Sequence, residues 1–210
     1  MYAKIQNSTI IKYPYTWGDF VAENNNTIYP SGTDMAALFP QTAAAVGGYS
    51  LVDVAQVAMP TYDPATESCV EGTPVLSAGV WSQTWVIADL SLAAAQANKL
   101  NAVKQAYQTA IAQPVSFTTK AGVAKTYQAD SASVSNLQAA LLGASLTQAT
   151  PSGFYWVSSD NTQVAFEYAD LQGLAAAIFA QGATAFQHLQ SLKATIAAAT
   201  TTAAVRAVTW

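Results

Sequence analysis

Residues 89–113 read DLSLAAAQANKLNAVKQAYQTAIAQ, and this stretch divides the chain into two parts of different character. It contains neither glycine nor proline, Asp89 or Ser91 can cap its start, and Pro114 follows it, so we predict one helix. Its apolar side chains recur every three or four residues. This repeat favours a short coiled coil that links or trimerises chains, and it is also typical of an amphipathic helix packed on its own domain. The association seam would contain Leu100, Val103 and Tyr107.

Residues 1–88, which precede this helix, read as β-rich and irregular. The stretches 49–57 and 81–87 alternate apolar and polar side chains, which predicts a strand in each. Asp34 can cap a short helix that runs through Leu38. We therefore expect residues 1–88 to form a small β-rich module, and we assign attachment to it.

Residues 114–210 predict a mainly helical module with two β-hairpins. Alternating runs around turn residues place the hairpins at 115–128 and 154–167. A helix begins at Asp130 or Ser131 and ends with Gly143 in the C′ position. A longer helix, capped by Asp170, runs to about Ala199, and a short one ends at Trp210. The predicted fold class is therefore α+β: a small β-rich N-terminal module, a linking helix at 89–113, and this C-terminal module.

The composition argues against catalysis. Only 10% of the 210 residues are charged, and the chain has one histidine, one cysteine and one arginine. Most catalytic strategies depend on His, Cys, Lys, Asp or Glu side chains with tuned pKa values. Cys69 lies between Glu67 and Glu71, which disfavour a thiolate, and His188 lacks the companion ligands of a zinc site. We expect no enzyme, and we assign no catalytic, cofactor-binding or metal-binding residue.

Charge is divided unevenly along the chain. Residues 1–90 carry eight acidic residues and two lysines, a net of −6, whereas residues 91–210 carry six basic and four acidic residues, a net of +2. The overall net charge of −4 argues against nucleic-acid binding. No run of apolar residues is long enough to span a bilayer, and the first residues lack the apolar core of a secretory signal. We expect no membrane insertion, and synthesis in a cytoplasm.

The aromatic residues provide the candidate interaction surface. The chain has five tryptophans and ten tyrosines. In the N-terminal half these rings could stack on the sugars of a host surface glycan, or they could fill the core of a small β-domain that needs large side chains. The candidates are Trp17, Tyr49, Trp81 and Trp85.

Two stretches of the C-terminal half carry a family resemblance. Residues 156–164 read WVSSDNTQV and residues 192–200 read LKATIAAAT, followed by Val205, Val208 and Trp210. This pattern resembles a domain of unknown function that is common at the ends of small bacteriophage tail proteins. The resemblance covers roughly residues 90–210.

The N-terminal half is similar to the start of small bacteriophage tail-fibre or fibre-associated proteins. The similar pieces occur in the same order and are YPYT at 13–16, FP at 39–40, PTYDP at 60–64, EGTPVL at 71–76 and GVWSQTW at 79–85. The two resemblances imply a structural component of a phage tail, either a tail fibre or a baseplate-associated protein, located in the virion. They supply no catalytic residue.

These observations lead to one functional expectation and one alternative. We expect the chain to act by self-association, as a homotrimer, and by docking to other tail or baseplate proteins, with a contribution to host attachment. A surface with few charges suits such docking, because burying charges at an interface is costly. The alternative is a tail-fibre assembly chaperone that the virion does not retain.

Overall fold

A computed structural model of the chain describes residues 1–33, 35 and 49–210. Apart from Met35, the predicted helix from Asp34 through Leu38 lies outside the described residues, as does the FP pair at 39–40. The chain divides into a first unit, Met1–Asp89, and a second unit, Leu90–Trp210. The predicted α+β class is confirmed: the N-terminal region is β-rich, and the C-terminal half is mainly helical with two β-hairpins.

The first unit contains a five-stranded sheet with the strand order β2-β1-β3-β5-β4. The strands pair antiparallel except for β3 and β5, which run parallel. The predicted strands at 49–57 and 81–87 correspond to β3 and β5. The elements are β1 (Tyr2–Gln6), β2 (Thr9–Tyr15), α1 (Trp17–Glu23), β3 (Ser50–Ala55), β4 (Glu67–Ser77) and β5 (Val80–Asp89).

Two tight turns set the register of this sheet. The turn between β1 and β2 has positive φ at Asn7 (49°) and Ser8 (61°), and the turn between β4 and β5 has positive φ at Ala78 (49°) and Gly79 (79°). Two-residue loops with this backbone match the right-handed twist of antiparallel strands. They therefore hold both hairpins in a fixed register.

The core of the first unit is small and aromatic. Its buried members are Tyr15, Phe20, Met35 and Leu51. Helix α1 contributes Phe20, and Thr16 starts this helix with a capping box in which Asp19 is the reciprocal partner. The remaining rings, only partly buried, pack around this centre: Tyr2, Trp17, Tyr29 and Tyr49.

The second unit is built around one long helix. The predicted linking helix belongs to this unit, where it begins after the N-cap Ser91. The helices are α2 (Leu92–Ile111), α3 (Ser131–Ser145), α4 (Tyr168–Ala198) and α5 (Thr202–Arg206). One hairpin is β6 (Val115–Thr118) with β7 (Ala124–Tyr127), and the other is β8 (Tyr155–Val157) with β9 (Gln163–Ala165).

Helix α4 contributes to two apolar cores. Near its start, Leu171 and Leu174 pack with α3 and with the aromatic residues of both hairpins. Near its end, Leu189 and Ile196 pack with α2 and with the C-terminal segment through Val208. The 31 residues of α4 therefore hold the hairpin end and the α2 end of the unit together.

Two helix boundaries differ from the sequence-based prediction. Asp170 is not the N-cap of α4 but its third residue, and it forms a capping box with Glu167. Gly143 does not end α3, which continues to Ser145, because the next residue, Ala144, is buried in the core against α4. A buried apolar contact favours one more helical turn over a glycine stop.

Two glutamines join α2 to α4 in a reciprocal way. The side-chain amide of Gln96 on α2 donates to the carbonyls of Ile196 and Ala199 at the end of α4, at 3.0 and 3.1 Å. The amide of Gln181 on α4 donates to carbonyls at the end of α2, at 2.8 Å to Gln113 and 3.2 Å to Ala110. Each helix therefore supplies side-chain hydrogen-bond donors to carbonyls at the C-terminal end of the other.

Candidate docking surfaces

The β4–β5 hairpin presents a row of valines to solvent. We call Val70, Val75, Val80 and Val86 the outer valine face; each is between 50% and 56% exposed. Val70 lies directly opposite Val86 in the register, and Val75 lies opposite Ser82. Side chains opposite each other in a strand pair point to the same side of the sheet. The four valines therefore share one face.

The outer valine face carries no charge. The register places only small or hydroxyl residues between its valines. Gly72 is one of them, and a Cβ there would lie 2.7 Å from Thr84 Oγ1 and 3.0 Å from a methyl carbon of Val86. The glycine therefore lets the side chains of β5 lie across β4. The other members of this face are Ser68, Ser77, Ser82, Thr84 and Ala88.

Part of the opposite face of β5 is covered by the chain's own backbone. Gln83 is buried, and its side-chain oxygen accepts a hydrogen bond from the backbone N–H of Val57 at 3.1 Å. The indole N–H of Trp85 donates to the carbonyl of Val57 at 2.9 Å. Trp81 points to the same side as these two residues and is partly buried. Trp81 and Trp85 therefore lie on the side of the hairpin opposite the outer valine face, and both are partly buried.

Trp17 and Tyr49 pack around the core of the first unit. Trp17 stacks on Phe20 with a centroid distance of 5.6 Å and meets the edge of Tyr29 at 5.0 Å. The ammonium group of Lys4 lies 3.7 Å from the centroid of the Tyr49 ring. Among the described residues, the aromatic core cluster includes these two rings but neither Trp81 nor Trp85. The structure thus does not bring the four candidate aromatic residues into one exposed platform.

The predicted association seam on α2 is occupied within the chain. Val103 is buried together with Leu189 and Ile196 of α4, and Leu100 and Tyr107 pack against the same cluster. Of the two arrangements that the repeat allowed, the structure has the helix packed on its own domain. A coiled coil between chains needs such side chains free, whereas here they pack within the second unit.

Helix α4 exposes two phenylalanines beside its core-facing side, and the ring of Phe186 meets the edge of Tyr107 on α2 with a centroid distance of 6.5 Å. Phe179 is 77% exposed and Phe186 is 51% exposed. They are seven residues apart, which places them on one side of the helix, with Gly182 and Ala183 between them. We call these four residues the phenylalanine stripe. A Cβ at Gly182 would meet no atom within 4 Å, so the space above it is open.

Two apolar grooves of the second unit lie beside its helices. A groove of about 460 Å³ borders the phenylalanine stripe and is lined by Ile178 and Gly182 of α4, by Tyr107 and Ile111 of α2, and by the first turn of α3. A second groove of about 650 Å³ lies between α3 and Phe154. The residues that line these two grooves include no acid, base, histidine or cysteine.

Ionisable side chains of the first unit tie its elements together. Lys4 on β1 and Tyr15 on β2 both donate to Glu23 on α1, at 2.7 and 2.8 Å. Burial, together with the hydrogen bond to this carboxylate, raises the pKa of Tyr15. The hydrogen bonds from Lys12 and from Thr16 lower the pKa of Asp19 from 3.8 to about 2. The carboxylates of Glu23 and Asp19 therefore join α1 to strands β1 and β2.

A side-chain contact joins the two edge strands of the sheet. The hydroxyl of Tyr13 on β2 donates to the carboxylate of Glu71 on β4. Partial burial and this carboxylate raise the pKa of Tyr13 to about 12. Because β2 and β4 lie at opposite ends of the strand order, this contact curls the sheet toward closure.

Acidic side chains of the second unit fix its hairpins. Asp160 accepts hydrogen bonds from Lys125 at 2.6 Å and from Ser158 at 2.5 Å, and these bonds hold its pKa well below the usual range. The buried Asp170 accepts the backbone N–H groups of Lys120 at 2.7 Å and Glu167 at 2.8 Å. Asp160 therefore joins the two hairpins, and Asp170 joins the first hairpin to the start of α4.

The part of the chain that the structure describes shows neither a metal cluster nor a membrane-spanning helix. No group of three or more His, Cys, Asp or Glu side chains in that part of the chain lies close enough to hold a metal ion. Within the same ranges, no helix is long and apolar enough to cross a membrane. Cys69 lies on β4 opposite Ile87 and is partly buried, and His188 meets the ring of Trp210 with a centroid distance of 4.8 Å.

Sequence reasoning missed both exposed apolar surfaces. The valines of β4 and β5 were assigned no role from the sequence, because alternation alone does not tell a covered face from a free one. Phe179 and Phe186 fall within the predicted long helix, but no surface was assigned to them from the sequence. The sequence of α4 does carry one signal. Its two phenylalanines are seven residues apart, and they occupy helical positions other than those of the leucines and isoleucines that face the cores.

Comparison with known proteins adds a family and no function. No curated protein and no solved structure matches the chain. Residues 94–209, more than half of the chain, match one protein family, described as a domain of unknown function. This range begins inside α2 and ends one residue before the C-terminal Trp210, so it spans nearly all of the second unit. The chain belongs to the family Domain of unknown function (DUF4376).

Proposed function

We propose that this chain is a structural component of a bacteriophage tail, a tail-fibre or baseplate-associated protein that acts by self-association and by docking to other tail proteins. The observation that carries the proposal is the outer valine face. Four half-exposed valines on an uncharged face form the kind of apolar surface that proteins use for binding other proteins.

Charge explains why this face suits docking. The first unit carries a net charge of −6, so its charged surfaces repel other acidic proteins and lose hydration when they are covered. Covering the outer valine face removes no charged side chain from water, so this loss of hydration does not oppose binding there. Burying it would stabilise a complex by the transfer of apolar surface out of water, roughly 25 cal/mol for each Å². The resemblance of the sequence to small phage tail proteins supplies the biological setting.

The experiment is mass spectrometry of purified virions, with lysates of infected cells as the reference. A structural component is expected in the particle at a fixed ratio to the other tail proteins. Presence in the lysate and absence from the particle would contradict the proposal and would favour an assembly chaperone.

A substitution tests the part played by the outer valine face. Val86→Lys places a charge at the centre of this face, and we expect loss of the chain from particles while the protein stays folded and soluble. Val157→Lys is the matched control, because Val157 is 45% exposed on a strand of the second unit. Equal incorporation of both variants would show that the valines do not carry the docking.

A further inference from the structure

We infer that the second unit holds a binding site for a neutral sugar, in the groove that Trp210 lines together with the C-terminal end of α2 and the middle of α4. We call this site the Trp210 groove. The inference deepens the proposed function, because it gives the expected contribution to host attachment a place and a ligand class. It rests on that function only for its biological setting.

The Trp210 groove has the size and composition of a small-molecule site. Its volume is about 600 Å³, within the range of pockets that bind small ligands. Three alanines give it apolar surface, and the other lining residues are Gln113, Gln181, Thr184, His188 and Trp210. No lysine, arginine, aspartate or glutamate is among them. The groove therefore favours an uncharged ligand, because a charged group would find no partner of opposite charge there.

Trp210 is the most exposed of the five tryptophans. Its side chain is 40% exposed, whereas the other four are partly buried. The indole ring meets the ring of His188 with a centroid distance of 4.8 Å and that of Tyr107 with one of 6.4 Å. These contacts hold the indole in place, so a ligand that packs on it does not have to order it first. Trp210 thus offers a fixed aromatic surface to a ligand in the groove.

The two glutamines of the groove offer hydrogen-bond acceptors. The amide nitrogen of Gln181 donates to the backbone carbonyl of Gln113 at 2.8 Å. The amide nitrogen of Gln113 in turn donates to the carbonyl of Thr109 at 3.2 Å. Because both nitrogens are turned toward the backbone of α2, the group that each side chain offers a ligand is its carbonyl oxygen. The ligand must therefore carry hydrogen-bond donors.

The remaining polar groups of the groove match hydroxyls. Thr184 and His188 are exposed and lie four residues apart on one side of α4, and both side chains can donate as well as accept hydrogen bonds. A hydroxyl group can donate to the glutamine oxygens and accept from the threonine or the imidazole. The indole of Trp210 requires an apolar surface on the same ligand. A pyranose ring combines the two, since its C–H groups form an apolar face and its hydroxyls surround the rim.

This site differs from the aromatic surface that the sequence suggested. Trp17 and Tyr49 pack around the core of the first unit, and Trp81 and Trp85 lie on another part of that unit, away from this core cluster. Trp210 instead has amide, hydroxyl and imidazole groups beside its ring. The stacking of an aromatic ring on a sugar is therefore better supported in the second unit than in the first.

The first test is a glycan array probed with the purified full chain, displayed in many copies on beads. One aromatic ring and four polar side chains provide few contacts, so we expect a dissociation constant of about 1 mM for a single site, which display in many copies compensates. Neutral glycans should be retained, and the best of them should shift the NMR signal of the Trp210 indole N–H. An array without binding, or binding restricted to anionic glycans, would overturn the inference.

Substitution of the ring tests whether Trp210 carries the binding. Trp210→Ala should weaken binding of the best neutral saccharide by about tenfold or more, and Trp210→Phe should restore part of the affinity because it keeps an aromatic face. Phe179→Ala is the matched control, because Phe179 is a 77% exposed ring on α4 that does not line the groove. Circular dichroism checks that each variant is folded. Equal affinities of Trp210→Ala and the wild type would refute the site.

The polar side of the site is tested with Gln113→Leu and with two reference ligands. Gln113→Leu keeps a side chain of similar size and removes the acceptor, so a loss of about 2- to 10-fold is expected. Cyclohexanol has an apolar ring with one hydroxyl, and N-acetyl-phenylalanine amide stands for a peptide; both should bind more weakly than the saccharide. If either reference ligand binds as tightly, the groove is a general apolar or peptide site and the sugar assignment is wrong.

These measurements use purified protein alone. Failure of the sugar site therefore leaves the virion assignment to its own test, and absence of the chain from virions does not affect the sugar site.

Discussion

The first unit joins its elements largely through charged and hydroxyl side chains, whereas the second joins its helices through apolar side chains and uncharged amides. In the first unit, Glu23 receives Lys4 and Tyr15 from two strands, and Lys12 contacts Asp19 at the start of α1. Its apolar core has four buried members among the described residues. In the second unit, one core alone has seven, and α4 connects it to a further core.

This contrast indicates that the two units respond to different perturbations. Packing defects should affect the second unit most, because dense apolar cores do not adapt to missing or added atoms. Loss of a single polar group should be felt most in the first unit, because its small apolar core leaves more of the joining of elements to such groups.

The largest expected effect comes from a cavity in the second unit. Leu174 is almost completely buried in the core shared by α3 and α4. We expect Leu174→Ala to lower the free energy of unfolding of this unit by about 2–5 kcal/mol, which combines lost apolar transfer with an unfilled cavity. Calorimetry should show the second unit melting at lower temperature while the first unit is unchanged.

Leu142→Ala is the control for this substitution, because Leu142 is largely exposed. A small change is expected. If both units of Leu174→Ala melt earlier by similar amounts, the division into two independently stabilised parts is wrong.

A close contact in the second unit predicts the next effect. Gly173 lies inside α4, and a Cβ there would come within 2.7 Å of the Phe117 ring. Alanine normally stabilises a helix interior relative to glycine by about 1 kcal/mol. Here we expect Gly173→Ala to destabilise by about 1–3 kcal/mol, because the ring must move in a packed core.

Gly143→Ala provides the matched comparison, measured by denaturant unfolding. Gly143 lies inside α3 with nothing within 4 Å of the added carbon, so a gain of up to about 1 kcal/mol is expected. Similar changes at both glycines would mean that the Phe117 contact does not limit the site.

A pair of tyrosines compares the polar groups of the two units. Both side chains are buried, but Tyr15 donates to Glu23, whereas the hydroxyl of Tyr127 has no hydrogen-bond partner among the described residues. We expect Tyr15→Phe to destabilise the first unit by about 1–2 kcal/mol. Tyr127→Phe should leave the second unit unchanged or stabilise it by up to about 1 kcal/mol, because it removes an unpaired buried group.

Chemical denaturation of both variants measures this difference. A loss of stability in Tyr127→Phe as large as that in Tyr15→Phe would show that the hydroxyl of Tyr127 contributes a favourable interaction. The contrast between the two units would then be weaker than described.

The smallest expected effect is on acid stability. The folded pKa of Asp19 lies at about 2, below its ordinary value of 3.8, chiefly because Lys12 and Thr16 donate to its carboxylate. Folding therefore favours the ionised form. The resulting stabilisation is complete above about pH 4 and disappears as the pH falls through 2.

Asp19→Asn should flatten the decline in the first unit's melting temperature between pH 5 and 2, and it should leave the second unit's decline in place. The second unit has its own carboxylates with lowered pKa values, Asp130 and Asp160. An unaltered pH dependence of the first unit would exclude Asp19 as a source of its acid sensitivity.

Much of the fold could be predicted from the sequence, because local signals are strong where an element has one exposed side. The turn residues and alternating runs predicted both hairpins of the second unit, and the absence of glycine and proline predicted α2. Strand order in the first unit could not be predicted. The parallel pairing of β3 with β5 joins strands that are separated by a long connection, and nothing local encodes that choice.

The candidate surfaces were harder to predict for a related reason. A heptad-like row on α2 looks the same whether it meets another chain or another helix of its own chain, and here Leu189 and Ile196 occupy it. The phenylalanines of α4 are ambiguous in the opposite sense, because large apolar side chains on a helix look like core residues but are exposed here. Only knowledge of which sides are already covered separates a core position from a docking position.

The reciprocal glutamine contacts between α2 and α4 have a consequence for how the second unit opens. Helix ends ordinarily fray one by one, because their last carbonyls find water as readily as any other partner. Here the donors for each end sit on the other helix, so neither end can unwind fully unless the two helices part. Backbone amides near both ends should therefore exchange with solvent deuterium at a common rate, as one cooperative opening unit rather than two.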